Sequence, residues 1–313
     1  MRNMIKIVVI SLALLTVVSA QAKDKLNIVF THHSSASNTF WQGVKAGFDD
    51  ACGKIEARCQ MLFTQTEGSI EQQFANFEAA IARRPDAILT TIVDNKALDA
   101  IIQRAIDKGI TVIGVNVDDI EGALGNARQA FIGQSFVRAG YALAQAMSVH
   151  FPAKGPIKSL VGISAPGQNW SEQRGEGVIK FLQEYKDNNP GRDVSWKRID
   201  SGTDLAITAD RVGAYLTANP DTIAYFDTGF WNAGVGRVLE DRNIAAGKIL
   251  LGGFDLVPEV VRLMKNGYIQ VQVDQQPYTQ GFMPVMMVYL EHNFGLSPSD
   301  INTGRGLIDI NKH

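Results

Sequence analysis

The residues of this chain that could do chemistry are polar and aromatic side chains standing at the ends of apolar, strand-like runs. Asn38, Phe40 and Trp41 follow the run 26–31, and Thr91 stands at the end of 87–92. Asn116 and Asp118 follow 111–115, while Asn169, Trp170 and Arg174 follow 157–163. Asp255 follows 249–254, and Gln275 follows 269–273. Such a set suits a neutral, polyhydroxylated ligand. Each hydroxyl entering the protein must exchange water hydrogen bonds for protein ones, and the planar groups of Asp, Asn, Gln and Arg can serve adjacent hydroxyls at once. Aromatic faces cover the C–H surface of a ring. Each member taken alone also has a plainer reading. Asn and Asp at strand-to-helix junctions cap helices or make turns, Asp255 shortly before Pro258 is as readily a turn residue, and Phe40 with Trp41 can equally be the first core residues of a helix.

Other chemistries lack their residues. No G-x-x-x-x-G-K-[ST] phosphate loop occurs, and Gly234-Val235-Gly236 is not followed by the third glycine of a dinucleotide fingerprint. Gly162-Ile163-Ser164-Ala165-Pro166 lacks the last glycine of a nucleophile elbow, so Ser164 reads as a loop residue. His32 and His33 are adjacent at a strand end and would point to opposite sides, which argues against joint metal ligation. Packing or surface roles suit them better, with one within reach of a cleft. No calcium-loop spacing of carboxylates is present. No enzyme activity, cofactor or metal is expected.

The elements that must position these residues follow a regular rhythm. Apolar, β-branched runs at 26–31, 60–64, 87–92 and 111–115 alternate with helical patterns, and the rhythm returns at 157–163, 194–199, 222–226 and 249–254. This spacing predicts right-handed βαβ units and parallel sheets in two doubly wound halves. In such sheets ligands bind at the carboxyl ends of the strands, where the polar and aromatic set stands. Ser69 with Gln72 makes a capping-box start, after which Ile70, Phe74, Phe77 and Ile81 share one helical face. Leu98, Ile101, Ile102, Ala105 and Ile106 do the same for the next helix, with Gly109 placed to end it. A helix over 134–151 opens the second half. A run at 269–273, a long helix over 279–294 and a strand over 307–310 close the chain, and the long helix is free to return to the first half.

The amino terminus differs from the rest. Arg2 and Lys6 precede an apolar run over 7–18 that ends in small residues, with Ala20-Gln21-Ala22 as a cleavage site. That is the pattern of a secretory signal peptide over 1–22, too short to span a membrane, and it predicts a periplasmic protein starting near Lys23. Without the leader, 28 Lys and Arg face 32 Asp and Glu, a formal charge of −4 that does not suit nucleic acid. Cys52 and Cys59 are the only cysteines. Export to an oxidising compartment predicts a disulfide between them, stabilising by about 2 to 3 kcal/mol on the chain-entropy model.

These motifs, in this order, resemble a known family. Asn38-Thr39-Phe40-Trp41, Pro85-Asp86-Ala87-Ile88, Gly109-Ile110-Thr111-Val112-Ile113, Gln173-Arg174-Gly175-Glu176-Gly177, Asn219-Pro220-Asp221, Gly253-Phe254-Asp255 and Gln275-Gln276-Pro277 are similar to those of the ribose-binding-like, type I periplasmic sugar-binding proteins of ABC importers. The resemblance implies two Rossmann-like lobes, 23–133 with about 276–303 and 134–275 with about 304–313, joined by a three-segment hinge around one monosaccharide or polyol. It implies that Phe40 and Trp41 sandwich the sugar with Asn38 beside them, while Arg174, Asp255 and Gln275 bind hydroxyls. Where ribose binders carry an Asp-Arg pair after the fourth strand, this chain has Asn116-Val117. Where they carry Asn after the third and eighth strands, it has Thr91 and Gly229. Trp170 and Trp231 are large additions near site positions, and these departures argue against ribose itself. The partners implied are an inner-membrane ABC permease or, for the same fold used as a receptor of a sugar-like signal, a chemoreceptor. A monomer is expected.

Overall fold

The computed structural model describes residues 25–304 and 306–310; the expected leader over 1–22 lies outside them. The first half runs β1 (Asn27–Ser35), α1 (Thr39–Lys54), β2 (Arg58–Thr64), α2 (Ile70–Ala82), β3 (Ala87–Thr90), α3 (Asp99–Ile106), β4 (Thr111–Asn116) and β5 (Ala130–Gly133). The second runs α4 (Phe136–Met147), β6 (Ile157–Ile163), α5 (Asn169–Asp187), β7 (Val194–Asp200), α6 (Leu205–Ala218), β8 (Ala224–Asp227), α7 (Asn232–Asp241), β9 (Leu250–Phe254), α8 (Pro258–Lys265) and β10 (Val271–Asp274). Then come α9 (Pro277–Phe294), β11 (Ile301–Asn302) and β12 (Gly306–Asp309).

Two six-stranded sheets result, ordered β11-β5-β4-β3-β1-β2 and β12-β10-β9-β8-β6-β7. All neighbours are parallel except β12, which runs antiparallel to β10. The chain passes between the sheets three times, at residues 134–135, at 275–276 and between β11 and β12. The central strands are covered on both faces, so runs such as Ala87, Ile88 and Leu89 are fully buried, as parallel strands under helices must be.

Local chemistry explains the helix starts. Asn38 accepts the Phe40 N–H at 3.1 Å and caps α1, whose Phe40, Trp41, Val44, Phe48 and Ala51 are buried. Ser69 caps α2 by accepting from Gln72 N, but the Gln72 side chain accepts from Gln65 N and Thr66 N, so only half of the capping box forms. The α2 face also differs from expectation: Phe77 and Ile81 are buried, Phe74 is 37 % exposed, and Gln73 is turned fully inward. Gln73 is drawn in because its amide reaches the Thr90 and Thr91 groups at the end of β3. Of the stripe expected for α3, Leu98, Ile101, Ile102 and Ala105 are buried and Ile106 is half-buried, and Gly109 ends the helix at φ 76°.

The helix α9, reached from the second sheet, packs on α1 of the first. The contact needs Gly281, because a Cβ there would lie 1.9 Å from Val44 O. Cys52 and Cys59 form the expected disulfide, joining the end of α1 to the start of β2. The first strand continues four residues past its apolar run, through His32, His33, Ser34 and Ser35, all buried.

Candidate functional site

The carboxyl ends of both sheets face one another across a cleft. The space is lined by His33, Ser34, Asn38, Phe40, Trp41, Glu67 and Asn116 from the first half and by Trp170, Arg174, Gly229, Phe230, Trp231, Asp255 and Gln275 from the second half and its crossing. It measures about 380 Å³. A roomier hollow of about 1000 Å³ lies at the far end of the first sheet, around Asp86, Thr111 and Glu291. There Thr111 Oγ1 donates to Glu291 and Asp86 accepts from Asn27 N. Of these two, the cleft is the one that gathers buried polar and aromatic groups from both halves, which is the arrangement of a small-molecule site.

The loop after β1 supplies one wall. Trp41 is stacked on His32, with ring centroids 4.1 Å apart and planes 11° apart, and the His33 and Phe40 rings meet it edge-on at 5.7 and 5.4 Å. Both histidines thus contact the same indole; the register of β1 against β2 shifts between Thr31 and Ser35, which breaks simple alternation. Glu67, on the loop after β2, fixes this wall. Its carboxylate accepts from Ser34 Oγ at 2.6 Å, Asn38 Nδ2 at 2.9 Å, and Ser35 N and Oγ at 2.9 and 3.1 Å.

The opposite wall is built around Arg174 on the first turns of α5. Its guanidinium lies over Phe254 at 4.0 Å and Phe136 at 4.8 Å, donates from Nη1 to Thr228 O at 2.8 Å, and donates from Nε and Nη2 to Gln134 Oε1. Burial pulls its pKa down to about 10 against the attraction of Asp255 and Asp227. Asp255 accepts from Gln275 Nε2 at 2.6 Å, and Gln275 Oε1 in turn accepts from Asn116 Nδ2 at 3.2 Å. Burial pushes the Asp255 carboxyl up to about 6, although Arg174 and the Gln275 bond oppose the rise. Asn116 ends β4 and Asp255 follows β9, at φ 67° and 72°, a left-handed backbone that Asn and Asp tolerate better than other non-glycine residues.

The loop after β8 brings in the aromatics of the second half. Asp227 accepts from Ser164 Oγ, Tyr225 OH and Gly229 N, each within 2.9 Å, and burial raises its pKa. Trp231 folds back over Gly229, where a Cβ would sit 2.1 Å from the indole. Trp231 stacks on Phe230 with centroids 4.7 Å apart, and Trp170 lies 6.1 Å away.

Of the residues singled out from sequence, Asn38, Phe40, Trp41, Asn116, Trp170, Arg174, Trp231, Asp255 and Gln275 line this one space. Three do not. Asp118 gives its carboxylate to the buried Arg128, 2.6 Å from Nε. Thr91 lies behind the wall, its Oγ1 3.0 Å from His33 Nδ1. Asn169 spans the two halves at the rim: its Nδ2 donates to Asn95 Oδ1 at 2.6 Å and its N–H to Val93 O at 3.2 Å. Beside it, Gln168 Nε2 donates to Gly68 O at 3.3 Å. Of the two histidines, of which one is expected within reach of a cleft, His33 lines it and His32 does not; Glu67, Ser34 and Phe230 escaped the sequence reading as cleft residues, although the rule that ligands meet strand ends applies equally to the loops after β1, β2 and β8.

Comparison with known proteins bears on this geometry. The family model described as "Periplasmic binding protein domain" matches residues 28–293. The chain is 28 % identical over 296 residues to a xylose/arabinose-binding protein of Sulfolobus acidocaldarius, covering 90 % of this chain and 70 % of that one. It is 24 % identical to the D-allose-binding periplasmic protein of Escherichia coli, covering 84 % of each. Among solved structures, a periplasmic sugar-binding protein of an ABC sugar transporter from Legionella pneumophila superposes with a TM-score of 0.81 at 25 % identity, covering 90 % of this chain and all of that one.

Proposed function

We propose a task from a premise that is itself established: the chain belongs to the periplasmic binding protein domain family. It is the periplasmic solute-binding component of an ABC importer, and it holds one monosaccharide or polyol between its lobes and delivers it to the permease. It is a binder and not an enzyme, exported by its amino-terminal leader. The observation that carries the ligand class is the composition of the cleft. Aromatic rings from both halves flank a buried, hydrogen-bonded set in which Asp255, Arg174 and Asn116 converge, and flat apolar faces beside planar polar groups match a ring that is C–H on its faces and hydroxylated at its edge. The xylose/arabinose binder and the allose binder to which the chain is similar support the same class.

Delivery follows from closure. The Asn169 and Gln168 bonds between halves exist only when the lobes are together, so a ligand touching both walls favours the closed state by its differential affinity. A thermal-shift screen of pentoses, hexoses and polyols tests the reading, followed by calorimetry on any hit. At 100 times its dissociation constant a true ligand adds about 2.7 kcal/mol of stability. A flat melting temperature across the whole panel would refute the carbohydrate assignment.

A further inference from the structure

The His33 imidazole faces the cleft, and its proton can be located from its neighbours. His33 Nδ1 lies 3.0 Å from Thr91 Oγ1. That hydroxyl already accepts a hydrogen bond, from Gln73 Nε2 at 2.9 Å, and the same nitrogen donates to Thr91 O at 2.6 Å. The Gln73 amide cannot be turned round, because its oxygen would then face the Thr91 carbonyl, acceptor against acceptor. Gln73 is fully buried and holds this orientation although its Oε1 has no partner. With a proton arriving from Gln73, Thr91 Oγ1 has its own hydrogen to place, and His33 Nδ1 is the acceptor in reach. The alternative, a protonated Nδ1, would aim two donors at one hydroxyl and strand that hydroxyl's hydrogen in a buried place, which is unfavourable. A ring nitrogen that accepts leaves the proton on the other one. His33 Nε2 has no hydrogen-bond partner among the described residues, and unlike His32 Nε2 it is not sealed in the interior. Burial keeps the imidazole neutral, pulling its pKa down to about 4 against the pull of Glu67.

We propose that His33 is a neutral hydrogen-bond donor to the bound sugar, its Nε2–H held toward the cleft by a relay from Gln73 through Thr91. This rests on the monosaccharide reading above and adds a specificity residue to it. Aspartate and glutamate in the cleft only accept, so His33 supplies a contact for a sugar oxygen that must accept.

Two measurements test it. Histidine labelled with ¹⁵N in the full chain without sugar, at pH 7, reports the tautomer, and His33→Gln identifies the signal. The Nε2-protonated form is expected; a protonated Nδ1 or an imidazolium overturns the relay. Calorimetry with D-xylose, D-arabinose and D-allose then compares the wild type with His33→Leu and Thr91→Val. His33→Leu should bind about 5- to 10-fold more weakly, the worth of one neutral hydrogen bond. His33→Gln, whose amide can offer an N–H in the same direction, should recover part of that loss. Thr91→Val touches no sugar, yet it should weaken binding about 3-fold and mix the tautomers of His33. Unchanged affinity in His33→Leu overturns the donor role alone, whereas a wild type that binds none of the three sugars overturns the monosaccharide reading and the donor role with it.

Discussion

Asp255→Asn should stabilise the protein and disable it at once. The substitution is conformationally mild: Asp255 sits at φ 72°, where Asn is among the best-tolerated side chains, and an amide oxygen can still accept from Gln275 Nε2. What changes is charge. Burial raises the Asp255 carboxyl from 3.8 to about 6. A carboxyl whose folded pKa is raised gives full stability only below its unfolded value of 3.8, and that stability is lost as pH rises through about 6. A shift of about 2 units at about 1.4 kcal/mol each makes the ionised group cost about 3 kcal/mol above pH 7. With an unfolding entropy of about 2.1 cal/mol/K per residue, that corresponds to a melting temperature about 5 °C higher for Asp255→Asn at pH 8. The gap should narrow steadily as pH falls from 6 and close only below 3.8, where the wild-type carboxyl becomes neutral in both states. Sugar affinity should move the other way, falling about 30- to 150-fold, because the amide puts a donor where the carboxylate offered its second oxygen to a hydroxyl. Calorimetric melting of both proteins from pH 4 to 8, with binding at pH 7.5, checks both halves. A stability difference that does not change with pH would refute the buried-charge argument, and unaltered affinity would remove Asp255 from the site.

Asn169→Ala removes bonds between the halves without touching the cleft, so every sugar that binds should bind about 5- to 10-fold more weakly, through faster release; a loss confined to one sugar in calorimetry would instead place Asn169 against the ligand. Gly281→Ala should lower stability by about 1 to 3 kcal/mol by forcing α9 away from Val44, and an unchanged denaturant midpoint would refute the close helix contact.

Legibility in the sequence followed the kind of interaction. Apolar periodicity exposed the buried parallel strands, and β6 occupies the expected residues 157–163, because a strand covered on both faces has to be apolar throughout. The same criterion stopped β1 at Thr31, since His32, His33, Ser34 and Ser35 are polar and become buried through partners such as Glu67 and Thr91 that lie far along the chain. The strands β5 and β11 are too short to show a period. Spacing could not separate Gln73 from Phe74 as the inward residue of α2, because the deciding contact is with Thr90 and Thr91 on β3. At strand ends the residue types were legible and their engagements were not. Asp118 and Asn169 carry the chemistry of sugar-binding groups, but Arg128 and Asn95 occupy them, and nothing in composition announces those pairs.

The cleft's hydrogen-bond inventory narrows what a ligand can use. Glu67 accepts four bonds from its own loop partners, which is about all a carboxylate can take, so it shapes the wall and has little left for a sugar. Asn116 spends both amide hydrogens on Gln275 and Gln280, leaving its oxygen. Asp255 has one oxygen left after Gln275, and each terminal nitrogen of Arg174 has one hydrogen left after Gln134 and Thr228. These free valences are therefore acceptors at Asn116 and Asp255 and donors at Arg174, joined by the donor proposed at His33, each on a group whose position is already fixed by the protein. Fixing them beforehand removes much of the ordering cost of binding, and it makes selection depend on where a sugar's hydroxyls fall relative to those few points. The residues that hold them, Gln134, Gln275 and Gln280, lie at or beside the crossings between the lobes. Under the proposed function, the groups facing the ligand and the groups at the crossings between the sheets are thus parts of one network, so a hydroxyl bound at Asp255 would act directly on those crossings.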